Sequence, residues 1–286
     1  MTKILVLGST GNIGWPLVQN LAQRQGVTVV AGIHRHVPPA MQALGVPTVC
    51  FDFLNDSTFE PALDGVDKVF FVRPPQLANP EKDMLPFLQT VKQHRVSQVV
   101  FISLMGVEHN SMVPHRKIER MIVDLGLTHT FLRPSFFMQN LTTTHKYDLQ
   151  EHHDLFVPAG NAKTSFIDAR DIAAAAAVVL LDPQYVGQAL TITGPAALTY
   201  RETAAIMTRV TGVPISYSHP GLLKFRRVML RRGLKKDFVN VMVMLYVITR
   251  LGNAKATTNT LPELLGHSGR TMAQFAADEV APLIQK

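Results

Sequence analysis

The chain has 286 residues, enough for one large α/β domain or a domain with a smaller lobe, and its 47% hydrophobic content excludes a disordered protein. Lys and Arg number 28 against 21 Asp and Glu, and the resulting +7 suits nucleic acid, an anionic membrane or phosphorylated small ligands. A lone cysteine, Cys50, excludes a disulfide framework, and the longest apolar stretch, Phe238 to Ile248, is broken by Asn240 and too short to cross a bilayer.

The first stretch organises the rest. Lys3-Ile-Leu-Val-Leu runs straight into Gly8, and Gly11 and Gly14 follow at three-residue spacing. A short apolar run ending in glycine predicts a strand buried on both faces, as in a parallel sheet, and Ile13 to Gln25 reads as a helix. Gly8 permits a tight turn, Gly11 lets the backbone approach a ligand, and Gly14 lets the helix pack closely on the strand. The N–H groups that open a helix favour an anion. Gly8, Ser9, Thr10, Gly11, Asn12, Ile13 and Gly14 are therefore read as a pyrophosphate cradle rather than a purely structural turn. The first strand begins at the N-terminus itself, which leaves no room for a signal peptide and, with the single thiol, predicts a cytoplasmic protein.

Val27 to Ile33 reads as the second strand, and its end bears on the cofactor. NAD-binding units place an acid about twenty residues beyond the glycines, where it holds the ribose hydroxyls. Here that place holds His34-Arg35-His36 with no carboxylate. An arginine there suits a 2′-phosphate, so the expected cofactor is NADP(H) in preference to NAD(H), with His34 and Arg35 as its contacts. Val46 to Phe51 forms a third strand in which Cys50 is expected to be an inert core thiol. Asp52 at its end either accepts from the adenine amino group or caps the next segment, and Phe53 is expected beside the adenine ring.

Asp67 to Val72 gives a fourth strand, which Arg73-Pro74-Pro75-Gln76 breaks. Val72, Arg73 and Pro74 are expected to line the cofactor. Pro80 to His94 has helical spacing, and Ser97 to Ser103 is a fifth strand. Strands alternating with helices in this way predict an α/β fold with a doubly wound parallel sheet, whose ligands bind beyond the carboxyl ends of the strands. Gly8, Arg35, Asp52, Arg73 and Ser103 all stand at such ends.

A helix from His115 to Gly126 and a strand from Leu127 to Arg133 come next, followed by Pro-Ser-Phe-Phe-Met-Gln-Asn140. At this point the chain resembles the NmrA-like, atypical branch of the short-chain dehydrogenase/reductase superfamily. The matching elements are the 8–14 glycine loop, Phe70-Phe-Val-Arg-Pro-Pro75, Ser103, the helix with Glu119, Leu132-Arg-Pro-Ser-Phe-Phe-Met-Gln-Asn140 and Ile167-Asp-Ala-Arg-Asp-Ile-Ala173. The resemblance implies an extended Rossmann fold with a smaller C-terminal substrate lobe. It also implies NADP-dependent reduction of quinones, azo or triarylmethane dyes, imines or isoflavonoid-type substrates. Some members bind the dinucleotide without turnover and act as redox sensors. The superfamily's Tyr-x-x-x-Lys pair is missing: counted back from Glu119, Ser111 and His115 stand in those places. His115 and Ser103 are the remaining catalytic candidates; His115 either acts as an acid, since an unperturbed imidazole titrates near 6.5, or simply starts its helix without meeting substrate.

Residues 1–150 are assigned to the dinucleotide-binding domain, with its sheet completed from within 160–195, and 196–286 mainly to the substrate lobe. Phe136, Phe137 and Asn140 are the expected substrate contacts, since aromatic surfaces suit flat apolar ligands, although the Phe136, Phe137 and Met138 cluster equally suits the core of the lobe. Asp168 and Asp171 either serve a site or complement the start of a helix from Ala169 to Leu181. A strand over Ala189–Thr193, a helix over Tyr200–Gly212, a strand over Pro214–Tyr217 and helices over Leu222–Arg232 and Gly269–Ile284 complete the reading. The basic stretch from Lys224 to Lys236 suits an anionic surface or, more simply, a solvated face. No spacing suits a DNA reader or a metal site.

Two functions fit. One is an NADP(H)-dependent reductase of small aromatic or conjugated electrophiles, and the other is a non-catalytic NADP-sensing regulator with a protein partner. A small-molecule substrate is expected and nucleic acid is not; a homodimer is compatible with either function.

Overall fold

The structure, a computed structural model, describes residues 1–77, 79–111 and 113–285. In chain order the first elements are β1 (Thr2–Val6), α1 (Gly14–Ala22), β2 (Val27–Ile33), α2 (Pro39–Leu44), β3 (Thr48–Cys50) and α3 (Phe59–Leu63). After these come β4 (Lys68–Val72), α4 (Pro80–Asp83), α5 (Leu85–Gln93), β5 (Gln98–Ile102), α6 (Pro114–Asp124) and β6 (His129–Pro134). The second half holds β7 (Phe136–Phe137), α7 (Lys146–His152), β8 (Lys163–Ile167), α8 (Ala169–Leu181), β9 (Ala189–Ile192) and β10 (Ala197–Thr199). Helices α9 (Tyr200–Thr211), α10 (Leu222–Arg231), α11 (Lys236–Arg250), α12 (Thr260–Leu265), α13 (Met272–Phe275) and α14 (Ala281–Ile284) follow. The chain divides into two compact units, one of Met1–Pro134 with Arg170–Thr191 and one of Ser135–Ala169 with Ile192–Lys286.

The first unit carries a seven-stranded sheet in the order β3-β2-β1-β4-β5-β6-β9, the doubly wound arrangement expected from the sequence. The pairs β1–β2, β1–β4, β2–β3, β4–β5 and β5–β6 are all parallel. The order reverses between β1 and β4, the position at which such sheets open a crevice for ligands. Central β1 is buried on both faces, with Ile4, Leu5, Val6 and Leu7 fully covered. On one side an aromatic cluster, Phe51, Phe53, Phe59, Phe71, Phe87 and Phe101, fills the core. Lys68 Nζ donates to Leu180 C=O at 2.6 Å and Gln98 Nε2 to Val179 C=O at 3.0 Å, so two strand starts satisfy carbonyls near the end of α8.

Three local expectations change. Cys50 is exposed rather than buried, because β3 is a three-residue edge strand with its first and last side chains in solvent. The helix expected over 80–94 breaks at Met84, whose φ of −129° is not helical; Pro86 then opens α5, where a missing N–H costs nothing. Pro214–Tyr217 forms no strand but a single bridge, Asp154 to Ser216, held by the Asp154 carboxylate accepting from Ser216 Oγ and Ser218 N–H.

The second unit packs the small sheet β10-β8-β7 and helices α7, α9, α10, α11, α13 and α14 around Tyr200, Phe225, Tyr246 and Phe275. Inside this core Tyr246 OH and His145 Nε2 are 2.7 Å apart, and burial pushes the His145 imidazole down to about 4. Asp148 takes a two-pronged bond from Arg232, at 2.7 and 2.6 Å, which ties the end of α10 to α7. Between α13 and α14 the helix widens into a π turn over Ala276–Val280. Among the described residues no helix is long and apolar enough to cross a membrane.

Candidate dinucleotide site

The glycine loop is built by close contacts that only glycine allows. Gly8 adopts the left-handed conformation, φ +75°, and its carbonyl accepts from Gly11 N–H at 3.0 Å. Gly14 is pressed against that turn: a Cβ placed there would lie 2.1 Å from Gly8 O. At Gly11 the same addition would lie 3.3 Å from Gly8 O, tight but with its outer side open. Ser9 is buried, and its Oγ donates to Gly32 C=O at 2.7 Å, so this hydroxyl fastens the loop to β2 instead of meeting a ligand. Thr10, Gly11 and Asn12 are exposed, while Ile13 turns into the core. Helix α1 has neither a side-chain cap nor an acid in its first turn, which leaves the positive end of its dipole uncompensated.

Strand register lines up the other candidates in this unit. Leu7 N–H bonds Phe70 C=O, and Val72 pairs with Ile102, so Gly8, Arg73 and Ser103 succeed each other along the carboxyl edge. At the end of β2, His34, Arg35 and His36 are exposed, and Arg35 makes no ion pair or hydrogen bond among the described residues. Asp52 Oδ1 caps its own turn by accepting from Leu54 N–H at 2.9 Å, while Oδ2 faces His34 Nδ1 at 3.5 Å. Phe53 is committed to the aromatic core, its ring edge-on to Phe51 and Phe87, and is not free to lie against an adenine. Arg73 folds back on its own loop: Nη1 donates to the carbonyls of Pro74, Pro75 and Leu77, which holds the proline turn beside half-buried Val72 and Pro74.

Three buried polar atoms at this edge have no partner among the described residues: Arg73 Nε, Ser103 Oγ and His115 Nδ1. Buried polar groups left unpaired are costly, so such a group of orphans fits a polar ligand better than an apolar one. His115 stacks on Phe101, and burial, reinforced by the Arg73 guanidinium, pushes its pKa down to about 3. So low a value disfavours the imidazolium acid expected near neutrality and favours a neutral ring that lends a hydrogen bond. Accordingly, the pH–rate profile of any turnover should show no limb between pH 5 and 8 that His115→Ala removes. A limb near 6.5 lost in that variant would restore the acid role.

Glu119, one turn beyond His115 on α6, is almost wholly buried and takes two bonds from Arg133, Nε at 2.9 Å and Nη2 at 2.8 Å. Arg116 Nη1 adds a third at 3.3 Å, and Arg133 Nη1 also reaches Glu108 at 3.2 Å. This cluster locks α6 against β6.

In the second unit, Phe136 and Phe137 are half-buried, and the Phe136 ring packs edge-on to Phe166 and beside Tyr246. Asn140 is half-buried, its carbonyl accepting from His145 N–H. The residue that sequence reading passed over is Gln139. Its Nε2 donates to Asp168 Oδ1 at 2.9 Å and Glu279 Oε1 at 3.0 Å, and its Oε1 accepts from Ala169 N–H at 2.8 Å. Asp168 is thus part of the joint at the start of α8. This unit also contains an apolar cavity of about 420 Å³ lined by Met138, Phe166, Leu198, Ile206, Val210 and Met272, but not by Phe136, Phe137 or Asn140.

A parallel sheet with reversed order at β1, a glycine turn under a helix N-terminus and polar strand ends defines a Rossmann-type protein. The family model that matches residues 1–249 is that of the NmrA-like family, and the chain belongs to that family. Over 97% of this chain and 98% of the relative, it is 32% identical to the NAD(P)H azoreductase of Xenophilus azovorans. Among solved structures, the NADPH complex of the quinone oxidoreductase QOR2 of Escherichia coli superposes with a TM-score of 0.83 at 24% identity, over 96% of this chain and 98% of that one. NmrA, a negative transcriptional regulator in complex with NADP, gives a TM-score of 0.77 at 14% identity, over 99% and 97%.

Proposed function

We propose that this protein is an NADP(H)-dependent reductase of small aromatic or conjugated electrophiles, of the quinone, azo or triarylmethane dye, or imine-like kinds. The observation that carries the cofactor choice is Arg35, exposed and unpaired among the described residues where an NAD-binding unit would hold an acid. In this reading Gly8 to Gly14 present backbone N–H groups to the pyrophosphate, Arg35 and His34 meet the 2′-phosphate, and Asp52 Oδ2 remains for the adenine. Val72, Arg73 and Pro74 form the wall, and Ser103 Oγ and Arg73 Nε supply buried donors. The cofactor, when bound, supplies the hydride. Ser111 and His115 stand where the superfamily has Tyr and Lys, so this reading assigns no side-chain acid to protonate the product. The substrates named tolerate this: hydride addition leaves charge on a delocalised system, or removes a positive one, and water completes the proton transfer. The azoreductase and quinone oxidoreductase relatives support the substrate class.

The test is NADPH oxidation followed by absorbance against quinone, azo, cationic dye and imine panels, with turnover expected for at least one class. The second reading, an NADP sensor, is favoured by the same missing Tyr and Lys and by the NmrA relative. Tight NADP binding without oxidation of NADPH across the panel would select it. Arg35→Ala should weaken NADP by about 1.5–3 kcal/mol, typical of a hydrogen bond to a charged group, and leave NAD nearly unchanged. Equal weakening of both, by titration calorimetry, would remove the 2′-phosphate assignment.

A further inference from the structure

The chain's charge is concentrated in one place. Residues 221–250 hold eight Lys and Arg against one acid, Asp237, so this stretch carries the whole +7 and the remainder balances at twenty of each sign. It folds as α10 and α11, two helices that pack on each other. Between Phe238 and Ile248 helix α11 is apolar except for Asn240 and the Tyr246 hydroxyl. Val239, Met242, Tyr246 and Thr249 are buried in the second unit, while Phe238, Val241, Met244 and Val247 are 37–45% exposed and Leu251 is 73% exposed. Their spacing of three and four residues sets these five on one outward face. Only Asp237 and Asn240 interrupt it. A solvated helix puts several charges on such a face, and this one carries only Asp237.

Helix α10 supplies the charge next to it. Leu223 is 82% exposed and stands among exposed Lys224, Arg227 and Arg231, with Lys235 and Lys236 following. None of these five cations makes an ion pair among the described residues, in contrast to Arg232, which is held by Asp148. Arg226 Nε donates to Asn240 Oδ1 at 3.2 Å, which seats α10 against the edge of the apolar face. An outward apolar strip bordered by unpaired Lys and Arg is the composition of a helix that lies in a lipid interface, its apolar side among acyl chains and its cations among headgroups.

We propose that the α10–α11 hairpin docks this protein reversibly on an anionic lipid surface. A second copy of the chain would bring +7 against +7 at the strip, and nucleic acid would neutralise the cations while leaving the apolar strip in water. A lipid surface of negative charge satisfies both features at once. The hairpin lies in the plane of the interface and does not cross it.

The full chain is to be co-sedimented with vesicles of phosphatidylglycerol and phosphatidylcholine, or of phosphatidylcholine alone. Retention is expected on the first at low salt, release at high salt, and none on the second. Lys224→Gln, Arg227→Gln and Arg231→Gln together should weaken binding on the order of 100-fold, from the usual contribution of each cation near an anionic surface. These positions are exposed, so thermal unfolding should match wild type. Phe238→Trp should show emission quenched by brominated acyl chains beyond that of wild type, whose only tryptophan is Trp15. Absence of retention on phosphatidylglycerol vesicles would overturn the proposal, as would retention unaffected by the three glutamines. So would a solution dimer that Val241→Asn with Val247→Asn splits, or RNA binding that competes the protein off the vesicles.

Discussion

Gly14→Ala should unfold the glycine loop and abolish dinucleotide binding. The added Cβ would sit 2.1 Å from Gly8 O, 2.6 Å from Gly8 C and 2.8 Å from Ser9 Cα. All three are backbone atoms, so no rotamer change relieves the clash. Either α1 lifts off β1 or the turn opens, at a cost of about 3 kcal/mol, the upper end for overpacking. Urea midpoints give the stability loss and titration calorimetry the affinity. Gly11→Ala is the control: its Cβ meets only Gly8 O at 3.3 Å, so the fold should survive while a bulkier Gly11→Val still obstructs the pyrophosphate. A Gly14→Ala protein with wild-type midpoint and wild-type affinity would show that the helix does not seat as described.

Glu119→Gln should cost about 3 kcal/mol of stability, without any contact to cofactor or substrate. The substitution keeps the shape but removes the charge that faces Arg133 Nε and Nη2, and Arg133 is itself only 13% exposed. Its remaining partner, Glu108, is 38% exposed and too well solvated to compensate. Glu108→Gln should therefore cost about 1 kcal/mol or less. Equal losses in the two variants, read from urea unfolding, would mean that the buried side of the cluster is not where its strength lies.

The parts of the fold legible in the sequence are those where one local pattern has one structural outcome. An apolar run into Gly8 with glycines three apart could only be a strand, a turn and a helix, and the alternation that follows requires a parallel sheet. What the sequence concealed depends on distant neighbours. Cys50 sits in an apolar run, but its exposure follows from β3 being the sheet edge. Phe53 reads as a crevice residue until Phe51 and Phe87 close around it. His115 keeps an ordinary imidazole on paper; burial in the fold, reinforced by the Arg73 guanidinium, pushes its pKa down to about 3. Helix α11 was invisible as an amphipathic helix because its few polar residues, clustered near its two ends, set no period. Gln139 gave no signal, since its three partners come from α8's start and from the π turn.

That last joint bears on how the protein is made. Gln139 and Glu279 are 140 residues apart, and Thr142 Oγ1 also reaches Glu279 at 3.3 Å. A nascent chain can close most of the seven-stranded sheet from its first 134 residues and then complete it with 170–191. The second unit begins at Ser135 yet cannot close its core until Phe275 and Glu279 have left the ribosome. During that interval the aromatic residues of β7 and β8 have no lasting cover, and closure of so long a loop is slow. Such a segment is the one on which a holding chaperone would act during synthesis, and conservative changes at Gln139 should lower the yield of folded protein more than they lower its equilibrium stability.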